Sequence, residues 1–376
     1  MRKIYLDYNA STPIAPEVAT IMRDAMEGAF GNPSSGHWAG APARQIVETA
    51  RGHVAEFFGC DRQEVVFTSG GSEANNLALK GLFFKSKRPQ PHFITTSVEH
   101  PAITAPLRFL ERLGATVTWL PVDGTGRIDP DDLRRAITSD TILINVMHAN
   151  NEVGTIQPIE ECSVIAREHG IALHTDAAQS VGKIPTRVDE LGVDLLTIAG
   201  HKLYAPKGVG ALYIRAGTIL EPLIHGAGHE GGRRAGTESA LLAAALGQAC
   251  ILARDLSPMR EISVLRDHFW TRLKEHFGDG ITLNGPAGGH VGHRLPNTLN
   301  VAFAGQVGAD ILAAVPEIAA STGSACHSGR VELSPVLEAM DVAPEVGMGA
   351  IRFSLGRNTT REEVDAAVEL LRNVPA

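Results

Sequence analysis

Short apolar runs alternate with amphipathic segments through the first two thirds of the chain. The apolar runs are rich in β-branched residues and predict strands at residues 65–68, 93–96, 116–120, 142–147, 172–176, 195–199 and 209–214. The segments between most of them predict helices at residues 72–84, 101–113, 129–137 and 158–169. This alternation is typical of an α/β fold with a buried, mainly parallel sheet and helices on both faces. Because such sheets bind ligands at the carboxyl ends of their strands, residues that follow a strand are the candidates for function.

The pattern changes after Ile214. A glycine-rich loop spans residues 225–239, and helices are predicted at roughly 238–254 and at 257–277. The remainder alternates again, at residues 298–303, 309–314 and 351–355, and ends in a helix at 360–372. We interpret residues 14–255 as a large domain, and residues 1–13 with 256–376 as a smaller α+β domain.

Composition and charge exclude several classes of protein. The 376 residues are 44% hydrophobic and 20% charged, which is ordinary for a globular enzyme. A net charge of −8 argues against non-specific binding to nucleic acid or anionic membranes. We find no apolar run of about 18 residues and no signal-peptide core, so no membrane association is expected. The four scattered cysteines form no CxxC pair, which favours a reducing, cytoplasmic location over a disulfide framework.

Two charged residues follow neighbouring predicted strands and suit amine chemistry. Lys202 comes just after the strand at 195–199, and a lysine desolvated at a strand end has a lowered pKa and a nucleophilic amine. Asp176 ends the preceding strand, 26 residues upstream, so both side chains can face one pocket. Taken alone, Lys202 is more often a surface lysine, and for Asp176 alone a helix N-cap is the favoured interpretation. Together they suit a cofactor with a protonated ring nitrogen.

Three further strand ends carry polar residues. The segment 67–76, FTSGGSEANN, places glycines and hydroxyls where a helix begins, which favours a phosphate site, a capping box, or both. His100 follows the strand at 93–96 and suits stacking on a flat ring or proton transfer, although a lone histidine is more often structural. Asn150 and Asn151 follow the strand at 142–147, where an amide either binds a phenolic oxygen or shapes the turn.

The conjunction of these five strand ends is more specific than any one of them. The chain resembles the fold-type I enzymes of pyridoxal 5′-phosphate, and most closely the cysteine desulfurases of the class V aminotransferase-like family. The resemblance covers nearly the whole chain and implies a large domain with a mainly parallel seven-stranded sheet plus a smaller α+β domain. It rests on YLDYNAST (5–12), GNPSS (31–35), TSGGSEANN, EHPAI, MHANNEVGTIQP, HTDAAQSVGK, GHKLYAPKGVGALY, HGAGHE, STGSACHS (321–328) and IRFSLGR (351–357).

The resemblance implies a role for each strand-end residue. Lys202 is the lysine that links covalently to the cofactor, Asp176 pairs with the pyridinium nitrogen, and His100 lies over the ring. Asn151 and Gln179 orient the ring through its phenolic oxygen. The phosphate is held by Gly71, Ser72 and His201, and by Thr237 reaching across from a neighbouring subunit, which implies a homodimer.

The same resemblance implies the reaction. Arg352, with Asn151, takes the carboxylate of L-cysteine. Cys326 lies among small and polar residues, which predicts an exposed loop, and is the nucleophile that receives sulfur as a persulfide. The product is L-alanine, and the sulfur passes to an unidentified protein acceptor, for iron–sulfur cluster or other biosynthesis. The chain departs from the family where Ala199 replaces a usual serine and His327 a frequent threonine.

Other functions remain open from sequence alone. His225 and His229, with Glu230, and the close pair His290 and His293 have metal-like spacings, but the first group lies among glycines and we expect no metal. A selenocysteine lyase or another class V reaction is the nearest alternative, because fold does not fix reaction. A non-catalytic interaction protein is a third alternative. The presence of Lys202, Asp176, His100 and Cys326 together argues against it.

Overall fold

The computed structural model describes residues 3–287, 292–323, 326–327 and 330–374, with the backbone alone described at 326–327 and 330–331. The helices are α1 (Pro16–Gly28), α2 (Gly40–Phe58), α3 (Gly71–Lys85), α4 (Pro101–Glu111), α5 (Pro130–Ala136), α6 (Ile159–Glu168), α7 (Val188–Leu191), α8 (Ala240–Ala253), α9 (Ser257–Phe277), α10 (Gly308–Ala314), α11 (Pro335–Ala339), α12 (Pro344–Gly347) and α13 (Arg361–Arg372). The strands are β1 (Ile4–Tyr5), β2 (Val65–Thr68), β3 (His92–Thr96), β4 (Thr116–Leu120), β5 (Thr141–Asn145), β6 (Ala172–Asp176), β7 (Leu195–Ala199), β8 (Gly210–Ile214), β9 (Ile281–Asn284), β10 (Thr298–Phe303), β11 (Ile318–Ala319), β12 (Cys326–His327), β13 (Arg330–Val331) and β14 (Ala350–Ser354).

A seven-stranded sheet organises the larger part of the chain. Its strand order is β2-β8-β7-β6-β5-β3-β4. Pairing is parallel from β7 through to β4, whereas β8 runs antiparallel to both of its neighbours. The predicted mainly parallel sheet is therefore confirmed, and it brings the carboxyl ends of β3, β5, β6 and β7 to one edge.

Helices cover both faces of this sheet. Successive side chains of each strand point to opposite faces, so each strand packs against helices on both sides. Ile144 belongs to an apolar cluster with α2 and α8, whereas the adjacent Leu143 packs in a second cluster with α3 and α4. In the same way, Leu196 faces the first cluster and Leu195 the second. Strands buried on both faces read as continuous apolar runs, which is why the sequence predicted them well.

The C-terminal part builds a separate apolar cluster around a three-stranded antiparallel sheet in the order β14-β10-β9. Phe269 of α9 and Phe353 of β14 meet at its centre with their ring centroids 5.0 Å apart. Ile4 and Leu6 pack into the same cluster, and β1 pairs in parallel with β11. The division at residues 13/14 and 255/256 stays a prediction, and these contacts favour it.

Helices α1 and α2 were not predicted from the sequence. The residues that α2 buries include Gly40, Ala43, Ala50 and Ala55, whose small side chains weaken the periodic contrast between apolar and polar positions.

No single helix in the described part of the chain is long and apolar enough to cross a membrane. Together, the bent pair Ala240–Ala253 and Ser257–Gly280 passes the same test of length and composition.

Candidate active site

A cavity of about 600 Å³ opens at the carboxyl edge of the large sheet. It collects the side chains that follow four strands and the start of α3. Nine of the predicted site residues line it: Gly71, Ser72, His100, Asn151, Asp176, Gln179, His201, Lys202 and Arg352. The structure thus brings together residues that lie up to 281 positions apart in the sequence.

Lys202 enters the cavity from a 3₁₀ turn, Gly200–Lys202, directly after β7. Its Nζ donates to the backbone carbonyl oxygens of Asn9 and Ala10, at 2.5 and 3.0 Å. Burial, followed by the positive charge of Arg352, lowers the pKa of Lys202 to about 8. A lysine in this state supplies an appreciable neutral fraction near physiological pH, which nucleophilic and proton-transfer chemistry both require.

Asp176 lies at the last position of β6, and the residue is 6% exposed. Its Oδ2 accepts from Asn75 Nδ2 at 2.7 Å, and its Oδ1 accepts from the backbone N–H of Ala178 at 2.9 Å. Both bonds stabilise the ionised carboxylate and fix its direction. Asn75 was not predicted to act here, although it stands within the TSGGSEANN motif on α3.

His100 is the N-cap of α4. Its Nδ1 accepts from the backbone N–H of Ala102 at 3.0 Å. Burial of the ring, with a smaller opposing contribution from Asp176, leaves the pKa of His100 below its ordinary value. The capping bond therefore holds a neutral ring at the cavity wall. It gives this histidine a structural role, and its functional role stays a prediction.

The N-terminus of α3 faces the same cavity. Gly70 adopts φ +150°, a conformation that favours glycine, and this turns the chain from β2 into the helix. The backbone N–H of Ser69 donates to Glu73 Oε2 at 2.8 Å, and Arg234 from the glycine-rich loop holds Glu73 at 2.8 Å. Free N–H groups of Gly71 and Ser72 at the helix start suit a phosphate.

Arg352 projects from β14 toward the cavity. Its Nη2 pairs with Asp7 Oδ1 at 2.6 Å, and its Nη1 donates to the backbone oxygen of Asn151 at 3.1 Å. Its buried Nε has no hydrogen-bond partner among the described atoms. A buried guanidinium with an unfilled donor is suited to bind a carboxylate.

The residues present fit pyridoxal 5′-phosphate. The lining places an amine, a carboxylate, a histidine ring and a helix N-terminus around one space. His201 Nδ1 is also buried without a partner in the described part of the chain, next to the residues expected to hold phosphate. Burial and the neighbouring Lys202 and Lys207 lower the pKa of His201 to about 4, so its ring is neutral and its orphan nitrogen is available to a ligand.

Two predicted residues are not brought to the cavity by the described coordinates. Thr237 is exposed in the loop before α8 and does not line it. The side chain of Cys326 lies outside the described residues, although its backbone forms β12, paired with β13. Burial raises the pKa of the other three thiols, Cys60, Cys162 and Cys250, to about 12, which makes them poor nucleophiles.

Within the described ranges, no group of three or more His, Cys, Asp and Glu side chains could hold a metal ion. His229 Nδ1 instead accepts from the backbone N–H of Gly236 at 3.2 Å. His290 lies outside the described residues.

Comparison with known proteins agrees with this geometry. The family model described as Aminotransferase class-V matches residues 4–367. The cysteine desulfurase IscS of Dictyoglomus turgidum is 47% identical over 99% of this chain and 94% of its own length. Its counterpart in Pectobacterium carotovorum subsp. carotovorum is 42% identical over 98% and 92%.

Two solved structures are similar over most of their length. A "NifS-like protein" superposes with a TM-score of 0.91 at 34% identity, covering 98% of both chains. "SspA in complex with cysteine" superposes with a TM-score of 0.84 at 36% identity, covering 95% of this chain and all of that one.

Proposed function

The chain belongs to the class-V aminotransferase family, and from this premise we propose that it is a pyridoxal 5′-phosphate-dependent cysteine desulfurase. The observation that carries the proposal is the convergence of Lys202, Asp176 and Arg352 on one cavity. An amine, a carboxylate and a guanidinium are the groups needed to handle an amino acid on this cofactor. L-Cysteine is converted to L-alanine, and its sulfur passes to Cys326.

The residues that would hold the cofactor follow from the lining of the cavity. Gly71, Ser72 and His201 would hold the phosphate, Asp176 would meet the ring nitrogen and His100 the ring face. That all five line one cavity supports these roles. When bound, the cofactor supplies an electron sink that stabilises negative charge at the Cα atom of the substrate. Asn75 and the Ala178 N–H fix the direction of the Asp176 carboxyl group for its partner.

Lys202 is the group that moves the substrate proton. With a pKa of about 8, about a tenth of its amine is neutral at pH 7 and can accept a proton from Cα. The carbonyls of Asn9 and Ala10 hold Nζ at the cavity wall in the absence of substrate. Arg352 holds the substrate carboxylate through its unfilled Nε, while Asp7 and the Asn151 carbonyl fix the guanidinium plane.

Cys326 completes the reaction as a nucleophile. Its thiolate attacks the substrate sulfur, an S–S bond forms and the C–S bond breaks, with the electron pair of that bond staying on carbon. Protonation at carbon gives L-alanine, and Cys326 keeps one added sulfur as a persulfide, so one cysteine and one thiol become one alanine and one persulfide. A protein acceptor then takes this sulfur for iron–sulfur cluster or other sulfur-compound biosynthesis.

The proposal includes a homodimer. Phe30 and Trp38 are 79% and 81% exposed, with their ring centroids 6.4 Å apart. Adjacent exposed aromatic side chains support burial against a second copy of the chain. Thr237, in the glycine-rich loop, is also exposed. A residue that completes the phosphate site of a partner subunit has to be exposed on its own subunit.

A cytoplasmic location is also part of the proposal. Cys60, Cys162 and Cys250 are all free thiols. A reducing compartment keeps thiols in this state, and a persulfide carrier needs the same condition.

The test compares Cys326→Ala with wild type after incubation with L-cysteine. Wild type should release alanine and carry one added sulfur on the Cys326 peptide by mass spectrometry. Cys326→Ala should still bind cofactor, while alanine release falls by at least about 100-fold because no thiolate attacks the sulfur. Cys60→Ala, which removes a thiol with a raised pKa, is the control and should retain activity.

Unchanged alanine release by Cys326→Ala would contradict sulfur transfer through this thiol. It would favour another class V reaction, such as selenocysteine lysis, on the same cofactor.

A further inference from the structure

Lys183 is a buried lysine that the mechanism above does not use. It lies in the turn after β6, four residues beyond Gln179, and is 8% exposed. Its Nζ lies 3.0 Å from Asn9 Oδ1 and 3.0 Å from Gln179 Oε1, and both of these acceptors are amide oxygens. Burial away from water holds the pKa of Lys183 well below its usual value. Burying an amine is costly, so its position demands an explanation.

The first consequence concerns the direction of the Gln179 amide. A carboxamide has an oxygen that only accepts and a nitrogen that only donates, whereas the lysine N–H groups only donate. Because Lys183 donates to Oε1, the NH₂ group of Gln179 must point the other way. It donates to the backbone oxygen of Asn9 at 3.0 Å, and both residues line the cavity.

The second consequence concerns Asn9, which links the two parts of the fold. Its Oδ1 accepts from Lys183 and from Asn297 Nδ2, each at 3.0 Å. Its Nδ2 is thereby directed to Thr298 Oγ1 at 2.8 Å and to the Asn151 backbone oxygen at 3.2 Å.

The backbone oxygen of the same Asn9 accepts from Lys202 Nζ. One buried amine therefore donates to two amides that lie around the reactive amine.

We propose that Lys183 is a positioning residue, which fixes the Gln179 amide with its NH₂ group facing the cofactor cavity and holds Asn9 against Lys202. The inference rests on the proposed function, since it assumes that the cavity binds pyridoxal 5′-phosphate. Lys183 is not among the residues that line the cavity, so it acts through Gln179 and Asn9.

Removing the donor makes the opposite amide direction competitive. In Lys183→Met, Gln179 Oε1 loses its buried donor, whereas Asn9 Oδ1 keeps Asn297 Nδ2. An unsatisfied buried oxygen is unfavourable. Rotation of the Gln179 amide would turn Oε1 toward the cavity, where it would repel the anionic oxygen of the cofactor ring. Exchange of an attractive contact for a repulsive one should weaken cofactor binding by about tenfold.

The experiment is a double-mutant cycle on cofactor affinity. Apoenzymes of wild type, Lys183→Met, Gln179→Leu and the double variant are titrated with pyridoxal 5′-phosphate by equilibrium dialysis. We expect Lys183→Met to bind about tenfold more weakly, and the double variant to bind within about twofold of Gln179→Leu. In that case, replacing Lys183 changes cofactor affinity only while the Gln179 amide is present.

A matched control separates positioning from loss of stability. His92, 5% exposed at the amino end of β3, is hydrogen-bonded through its ring to Thr141 Oγ1 at 2.8 Å and Thr118 Oγ1 at 2.9 Å. His92→Leu removes both at the far edge of the sheet and should lower the melting temperature without changing cofactor affinity. If Lys183→Met does not fold, Lys183→Gln, which keeps an NH₂ donor, takes its place in the cycle with a smaller expected loss.

Unchanged affinity in the Lys183 variant, or effects of Lys183 and Gln179 that simply add, would overturn the inference. Failure of wild type to bind the cofactor at all would instead refute the proposed function, and the inference would fall with it.

Discussion

Both edges of the large sheet carry a cavity, but of these two only the cavity at the carboxyl edge collects side chains suited to a reaction. The cavity at the amino edge has a volume of about 390 Å³ and is lined by Asp194 and Arg215, among others. Asp194 Oδ2 accepts from the Leu173 N–H at 2.9 Å, and Arg215 Nη2 donates to the Val193 carbonyl at 2.9 Å. Both of these side chains therefore form hydrogen bonds within the protein.

The carboxyl edge differs in the state of its polar atoms. His201 Nδ1 and Arg352 Nε are buried and lack partners in the described part of the chain, and the pKa of Lys202 is lowered to about 8. Buried polar atoms without partners are costly, so they indicate a position completed by a ligand. Cavity volume alone does not identify a site; at the carboxyl edge, buried donors without a described partner and a lysine of lowered pKa line the same cavity.

The largest expected effect comes from removing the reactive amine of the carboxyl edge. Lys202→Ala should lower alanine formation by about 1,000-fold or more, since both the covalent link and the proton carrier are lost. Alanine release and borohydride trapping followed by peptide mapping check this. Lys80→Ala, on α3 outside the cavity, should behave as wild type, and a trapped pyridoxyl group on any lysine other than Lys202 would contradict the assignment.

A substitution at the amino edge should affect stability alone. Asp194→Ala removes the acceptor for the Leu173 N–H and a partner of Arg215 at 3.3 Å. The free energy of unfolding should fall by about 1–3 kcal/mol, as for other partly buried hydrogen bonds to a charged group. Chemical denaturation measures this, and alanine formation per folded enzyme should stay within about twofold of wild type. A large loss of activity without a change in stability would show that the amino edge is functional too.

The pH dependence of cofactor attachment tests the lowered pKa of Lys202. Only the neutral amine forms the covalent link, and lowering the pH below about 8 protonates it. The rate at which apoenzyme links to the cofactor, followed by absorbance, should therefore rise about tenfold per pH unit up to pH 8 and then level off. A rate that keeps rising past pH 9 would indicate an ordinary lysine and contradict the effect of burial.

The sequence predicted the ends of β6 and β7 well because both strands are buried on both faces, whereas Arg352 lies within β14 of the smaller sheet. The strands 116–120, 172–176 and 195–199 match β4, β6 and β7 at both ends. Lys202 and Asp176 follow directly from such strand ends. For these positions, the local sequence pattern is sufficient to predict where the residue lies in the fold.

The residues that sequence reasoning missed are those whose role depends on distant partners. Asn9 belongs to the quoted motif YLDYNAST, but its contacts with Lys183 and Thr298 span 174 and 289 positions. Asn75 meets Asp176 across 101 positions. No local periodicity reports such contacts, although the spacing of Gln179 and Lys183 by four residues is a local signal that could have been used.

The smallest expected effect concerns Ala199, the last residue of β7, which is 5% exposed. A Cβ atom built on Gly71 would lie 3.2 Å from the Ala199 Cβ, so this methyl group lies against the start of α3. Ala199→Ser would place a hydroxyl beside the N–H groups expected to hold the phosphate. One added neutral hydrogen bond is worth about 1 kcal/mol, so cofactor should bind about fivefold more tightly.

Equilibrium dialysis of the Ala199→Ser apoenzyme with pyridoxal 5′-phosphate measures that gain. Ala199→Val, which adds bulk without a donor, is the control and should weaken binding. The comparison of the two variants separates the hydroxyl from its volume. Tighter binding by the serine variant, but not by the valine variant, would sharpen the contrast between the edges. An added donor strengthens cofactor binding only where it meets the bound cofactor. Markedly weaker binding by serine would mean that the phosphate is not held beside Ala199 and the start of α3.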